Sequence, residues 1–151
     1  MKYGGFSLLD KYECVLKNSS LLLAEDEKNL RDSFARVLLL YVDKVYTASD
    51  GEEALALYMQ YHPDIVITDV KMPKLNGLDF IKQIRKDNHN IPIIYITAFA
   101  DEKTITRAIK TNPVSYLIKP FKREELKSNI MLGLYKSKTI TKLTMEKTFI
   151  P

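Results

Sequence analysis

What the chain lacks narrows what it can be. It has one cysteine, Cys14, so no disulfide can close within it, which fits a reducing compartment. Its five glycines stand at positions 4, 5, 51, 77 and 133, which leaves neither a P-loop nor a Gly-rich dinucleotide fingerprint. The two histidines, His62 and His89, lie beside turns, and with a single Cys they make no zinc site. No apolar run approaches the roughly 18–20 residues that would cross a bilayer, so no membrane partner is expected. Asp10 and Glu13 interrupt what would be the apolar region of a signal peptide. A cytoplasmic chain is therefore expected. Its 151 residues, 46% of them hydrophobic, amount to about one globular domain.

A charge surplus in the middle of the chain is also missing. The net +4 comes from the ends. Residues 1–18 hold three Lys and two acids, and residues 136–151 hold four Lys and one Glu. The stretch between them holds 16 basic and 16 acidic side chains. A neutral centre has no electrostatic footprint for nucleic acid, so nucleic acid is not an expected partner of this segment. The organisation expected is a leader or linker over 1–18, a globular domain over 19–135, and a basic tail or the start of a linker over 136–151.

What is present is a repeated pattern. Leu21–Ala24 is a short apolar run that ends in Glu25-Asp26-Glu27. Lys28–Tyr41 carries Leu30, Phe34, Val37, Leu38 and Tyr41 at the spacing of one buried helical face. Val42–Ala48 is a second, more amphipathic strand. Ser49 and Glu52 fit a capping box for the next helix, which His62-Pro63 stops. Asp64–Asp69 is a third strand, and it halts on a carboxylate before a loop with Pro73. Asn76 caps a third helix, and Ile91–Ile96 is a fourth strand leading to Thr97. Asp101 caps a fourth helix, and Val114–Ile118 is a fifth strand leading to Lys119-Pro120. A fifth helix turns Leu126, Ile130 and Leu134 inward and loses its pattern beyond Tyr135. Over residues 1–18, a short helix around Leu8–Leu16 is expected.

Five apolar strands alternating with five helices call for a parallel sheet covered on both faces, in one of a few doubly wound orders. Such sheets place their sites at the carboxyl ends of the strands. In the order 2-1-3-4-5, Asp69 sits between Glu25-Asp26 on one side and Thr97 on the other, with Lys119 one strand further. Three crowded carboxylates repel one another, and a hard divalent cation removes the conflict. Mg²⁺ prefers few carboxylates, several waters and a phosphate oxygen. Asp26 and Asp69 suit direct ligation, and Glu25 suits a contact through water. Asp69 can then act as a nucleophile toward a phosphoryl group, Lys119 can neutralise its oxygens, and Thr97 can donate to one of them.

These residues carry a family resemblance. Leu22-Leu23-Ala24-Glu25-Asp26-Glu27, Asp64 through Pro73, Asn76-Gly77, Ile96-Thr97-Ala98 and Tyr116 through Phe121 stand in order and at the spacing of response regulator receiver domains. The chain is similar to that family over about residues 19–135. The resemblance implies a flavodoxin-like α/β fold: a doubly wound five-stranded parallel sheet in the order 2-1-3-4-5 with five helices. It implies that Asp69 accepts a phosphoryl group from a sensor histidine kinase or a small phosphodonor. It implies Mg²⁺ on Asp26, Asp69 and the backbone carbonyl of Lys71, a switch pair of Thr97 and Tyr116, and a cis Lys119–Pro120 bond. The changed face, helix 4 with strand 5 and helix 5, would serve a homodimer or an output protein or domain. Lys71 and Phe99 would flank the path of an attacking water.

The turn before strand 5 departs from the family pattern, with Asn112 where a left-handed residue is needed. Two rivals remain in view. An aspartyl-phosphate hydrolase would place a second acid two residues after Asp69, where this chain has Lys71, so an enzyme is not expected. A degenerate receiver acting as a phosphorylation-independent interaction module would lack some of the acids, Thr97 or Lys119, and all are present.

Overall fold

The computed structural model describes residues 14–149, with side chains through residue 138. Five strands alternate with five helices: β1 (Ser20–Ala24), α1 (Lys28–Leu38), β2 (Lys44–Ala48), α2 (Gly51–Tyr61), β3 (Ile65–Thr68), α3 (Gly77–Asp87), β4 (Ile93–Thr97), α4 (Glu102–Ile109), β5 (Ser115–Ile118) and α5 (Arg123–Phe149). The strands form one parallel sheet in the order β2-β1-β3-β4-β5.

Strand alternation divides the core into two layers. Leu22 and Ala24 of β1 join Val66 of β3 and Tyr95 of β4 beneath α2, α3 and α4. Leu21, Leu23, Ile67 and Ile96 point the other way, onto Leu38 of α1 and Leu126, Ile130 and Leu134 of α5. Right-handed crossovers dictate this division. The chain steps one way from β1 to β2 and the other way from β2 through β5, so α1 and the three following helices cover opposite faces. The apolar side chains of β1, β3 and β4 are all buried, at about 1.5–3 kcal/mol for each large one. The three central strands therefore hold the sheet, and the edges β2 and β5 remain partly exposed.

Several boundaries differ from the sequence pattern, each for a local reason. α1 ends at Leu38, not Tyr41, because Leu40 and Tyr41 bond back three residues and tighten the chain into a turn. β2 accordingly starts at Lys44. β3 starts at Ile65, because the Asp64 carboxylate is occupied by the Ser20 amide at 2.9 Å. β4 runs from Ile93 to Thr97, since Pro92 has no N–H for the ladder. β5 starts at Ser115. The cap of α2 is Asp50, which accepts from the Glu53 amide at 2.8 Å, while Glu53 reaches back to Ser49. The capping box is thus shifted one residue from the Ser49–Glu52 pairing.

The largest difference is α5, which continues to Phe149 instead of ending near Tyr135. Residues 136–149 mix good helix formers (Lys, Leu, Met, Glu) with four Thr, which are weak ones, so neither periodicity nor propensity marks this extension. The expected Leu8–Leu16 helix lies mostly outside the described residues. Residues 14–17 are helical and bury Leu16 against the α1–α5 layer. Asn76 and Asp101 cap α3 and α4 as their positions predicted. His62 closes α2 with φ 47°, Asn112 adopts φ 55°, and the Lys119–Pro120 bond is cis.

Candidate functional site

Parallel strands covered by helices bring all their carboxyl ends to one rim. The rim is open between β1 and β3, where the chain direction across the sheet reverses. The ladder continues one residue past each strand. The Glu25 amide donates to Ala48 O at 3.0 Å, that of Asp69 to Ala24 O at 3.0 Å, and that of Lys119 to Thr97 O at 2.8 Å. The first residues of the loops are therefore held as firmly as the strands.

The structure brings the expected polar residues together. Carboxylate oxygens of Glu25, Asp26 and Asp69 lie within 4.8 Å of one another. Asp69 is 8% exposed and engages both its oxygens: Oδ1 accepts from the Val70 amide at 2.6 Å, and Oδ2 accepts from Lys119 Nζ at 3.1 Å. Lys119 Nζ also donates to Glu25 Oε1 at 2.7 Å. The amine thus bridges two strand ends that the linear pattern leaves two strands apart. Neighbouring acids differ sharply, for Glu25 is 1% exposed and Asp26 lies open to solvent.

The charges do not balance. Like charges about 4 Å apart repel by about 4 kcal/mol at an effective dielectric near 20, and one amine faces three carboxylates. Burial pushes the Glu25 carboxyl above the ordinary carboxylate range, and the Lys119 bond offsets this only in part. Burial also works against the Lys119 ammonium, but the Glu25 bond and the Asp69 charge outweigh it and hold the amine above its usual value. An all-oxygen donor set with surplus negative charge fits a hard divalent cation.

Thr97 ends β4 fully buried, and its Oγ1 accepts from the Phe99 amide at 3.2 Å. Tyr116 is half-buried, and its hydroxyl donates to the Phe99 carbonyl at 2.7 Å. Both side chains are therefore tied to one residue of the β4–α4 loop. Lys71 places Nζ 3.7 Å from the centroid of the Phe99 ring. The two flanking residues are joined across the rim by a cation–π contact.

Sequence reasoning missed two supports. Arg31 donates to Glu25 O at 2.8 Å and Asp26 O at 3.3 Å, fixing the β1–α1 loop. Its signal was available, since it stands one turn into α1 on the side of the strand ends. Gly77 lets the Asp69 backbone pass close, because a Cβ there would lie 1.9 Å from the Asp69 carbonyl oxygen. Nothing in the linear pattern shows that approach.

Comparison with known proteins gives a consistent result. Residues 21–131 match the family model described as the response regulator receiver domain. Regulatory protein AtoC of Escherichia coli is 33% identical over 106 residues, which cover 70% of this chain and 23% of AtoC. The "Probable transcriptional regulator ycf27" of Guillardia theta is 40% identical over 110 residues, covering 73% of this chain and 43% of that protein. The chain thus spans less than half the length of these curated relatives. Among solved structures, a DNA-binding response regulator of the LuxR family from Staphylococcus aureus aligns with a TM-score of 0.72 at 30% identity. That alignment covers 77% of this chain and 98% of the other. Among the described residues, no helix is long and apolar enough to cross a membrane.

Proposed function

Because the chain belongs to the response regulator receiver domain family of two-component systems, we propose that Asp69 accepts a phosphoryl group from a sensor histidine kinase in the cytoplasm. One observation carries the proposal. Asp69 shares the carboxylate cluster with Glu25 and Asp26 and keeps one oxygen on the Val70 amide and the other on Lys119. Asp26, Asp69 and the Lys71 carbonyl would hold Mg²⁺, and Glu25 would reach it through water. When bound, the ion neutralises the carboxylate surplus and polarises the phosphoryl group.

An Asp69 carboxylate oxygen forms the new P–O bond as the donor's P–N bond breaks. Lys119 pairs with the phosphoryl oxygens, and the Thr97 hydroxyl donates to one of them. Moving Thr97 toward the phosphoryl group draws on the Phe99 amide. That displaces the carbonyl to which Tyr116 is tied, so the ring can turn inward and α4, β5 and α5 present a changed face. That face acts on a second copy, an output protein or an output domain. The chain modifies itself and processes no separate substrate. In support, Lys71 occupies the position of a hydrolase's second acid, with its amine over the Phe99 ring.

Mg²⁺ and beryllofluoride added together should raise Tm by more than either alone, because the mimic completes a site of otherwise unmatched charge. A Tm indifferent to the pair would overturn the proposed chemistry. Phe99 and Lys71 also screen Asp69 from water. In Phe99→Ala the acyl phosphate should decay about two- to fivefold faster, as the loss of a ~0.5–1 kcal/mol contact implies. An unchanged lifetime in a phosphate-release assay would remove Phe99 from the account.

A further inference from the structure

At the opposite rim of the sheet, far from Asp69, α3 and α4 end side by side. Lys82, Lys86 and His89 follow at helical spacing along α3 and just past it. With Lys110 and Asn112 beyond α4, they line a hollow of about 380 Å³. A second hollow of about 110 Å³ shares Arg85, His89 and Asn112 and extends to Lys136 on α5. No carboxylate lines either one. The centre of the chain is neutral, so this groove is a local segregation of positive charge and not a reflection of overall basicity.

The segregation has a cost. Lys82 and Lys86 are like charges at i and i+4, which destabilises a helix by about 0.2–0.5 kcal/mol. Among the described residues no carboxylate pairs with Lys82, Lys86 or Lys110. On α1 the same spacing carries the opposite arrangement, Lys28 with Asp32 at 3.1 Å.

Helix carboxyl ends ordinarily repel anions, because their last carbonyls are unpaired. Arg85 offsets this with a fixed positive charge held on the loop carbonyls that follow both helix ends. Its guanidinium donates to Ile91 O at 2.8 Å, Thr111 O at 2.9 Å, and Asn88 O and Asn112 O at 3.2 Å. The half-buried Arg85 thus forms a floor whose charge is matched by carbonyls, and the lysines above it keep theirs for a ligand.

We propose that this groove is a second binding site, separate from Asp69, for a small anion carrying several phosphate groups. Lysine ammonium groups bind phosphate as point charges, and three helices supply them from different sides. The larger hollow falls in the range of small-ligand sites, about 300–1,000 Å³. A protein partner would need about 800 Å² of matching surface, and the patch of cations is confined to this groove. Such a ligand would brace the ends of α3, α4 and α5 against one another.

Calorimetric titration of the full chain with inorganic triphosphate, with EDTA present, tests the site. Saturable one-to-one binding is expected, unchanged in Asp69→Asn. Combined Lys82→Gln, Lys86→Gln and Lys110→Gln should weaken it by about tenfold, the sum of three exposed charge contacts. These lysines are exposed, so the fold should survive, and circular dichroism checks that. A parallel titration with ATP identifies the source: tighter binding marks a nucleoside phosphate, and equal binding an inorganic one. The proposal fails if no saturable heat appears, if the triple variant binds equally well, or if Asp69→Asn abolishes binding. It also fails if an acidic peptide or a DNA duplex displaces triphosphate at lower concentration, since the occupant is then a macromolecule.

Discussion

Asp69→Asn should take no phosphoryl label from acetyl phosphate and should keep its fold. The amide nitrogen is no nucleophile at neutral pH, and no other carboxylate occupies the same position. Glu25 is buried and held by Lys119, and Asp26 lies past the end of the neighbouring strand, open to solvent. The fold survives because the Asn carbonyl oxygen can accept the Val70 N–H that Asp69 Oδ1 accepts at 2.6 Å. One of three crowded charges also disappears, so stability in metal-free buffer should equal or exceed that of the parent. Labelling followed by intact-mass measurement, beside a urea titration, reads both expectations. Full stoichiometric labelling of the variant would move the acceptor elsewhere.

Lys119→Met should produce the largest loss of stability, and the loss should depend on pH. The substitution keeps the length of the side chain and removes the charge between Glu25 and Asp69. Breaking a buried pair costs about 3–5 kcal/mol, and the 22% exposure of Lys119 lowers the expectation to about 2–3 kcal/mol at neutral pH. Glu25 already sits above its ordinary value of 4.5, through burial first. For a carboxyl raised in the folded state, the linked stability is fully present below 4.5 and is lost as pH rises through the folded value. Without Lys119 that folded value climbs further, so the deficit should be full at pH 8 and shrink below about pH 5. Lys119 has the complementary behaviour in the parent. Its raised value keeps the amine's contribution intact below its ordinary 10.5 and loses it only at higher pH. Urea unfolding of parent and variant in EDTA at acid and mildly alkaline pH checks the convergence. A deficit identical at both would show that Lys119 contributes packing and not charge.

Much of the molecule was legible in the residues. Ile65-Val66-Ile67 ending at Asp69 reads as a buried strand that delivers an acid to a rim, because side chains alternate and a covered parallel sheet buries both faces. The same logic placed Glu25, Thr97 and Lys119, and the helix caps Asn76 and Asp101 were plain from their side chains. Other features were not local. The cap at Asp50 in place of Ser49 was decided by which side-chain oxygen met the Glu53 amide. The continuation of α5 to Phe149 has no counterpart in the periodic pattern, which decays beyond Tyr135.

By itself the sequence determined the strand-and-helix alternation and the chemical kind of each strand end, because both depend on periodicity and residue type over short stretches. Tertiary structure alone decided how those ends pair. Adjacent Glu25 and Asp26 stay within reach of Asp69 but differ in surroundings, Glu25 buried on the amine of Lys119 and Asp26 open to solvent. Thr97 and Tyr116 meet on the backbone of Phe99, and Gly77 admits the Asp69 carbonyl. Each depends on distances between segments far apart in the chain, set by crossover hand and packing and by no local preference of the residues.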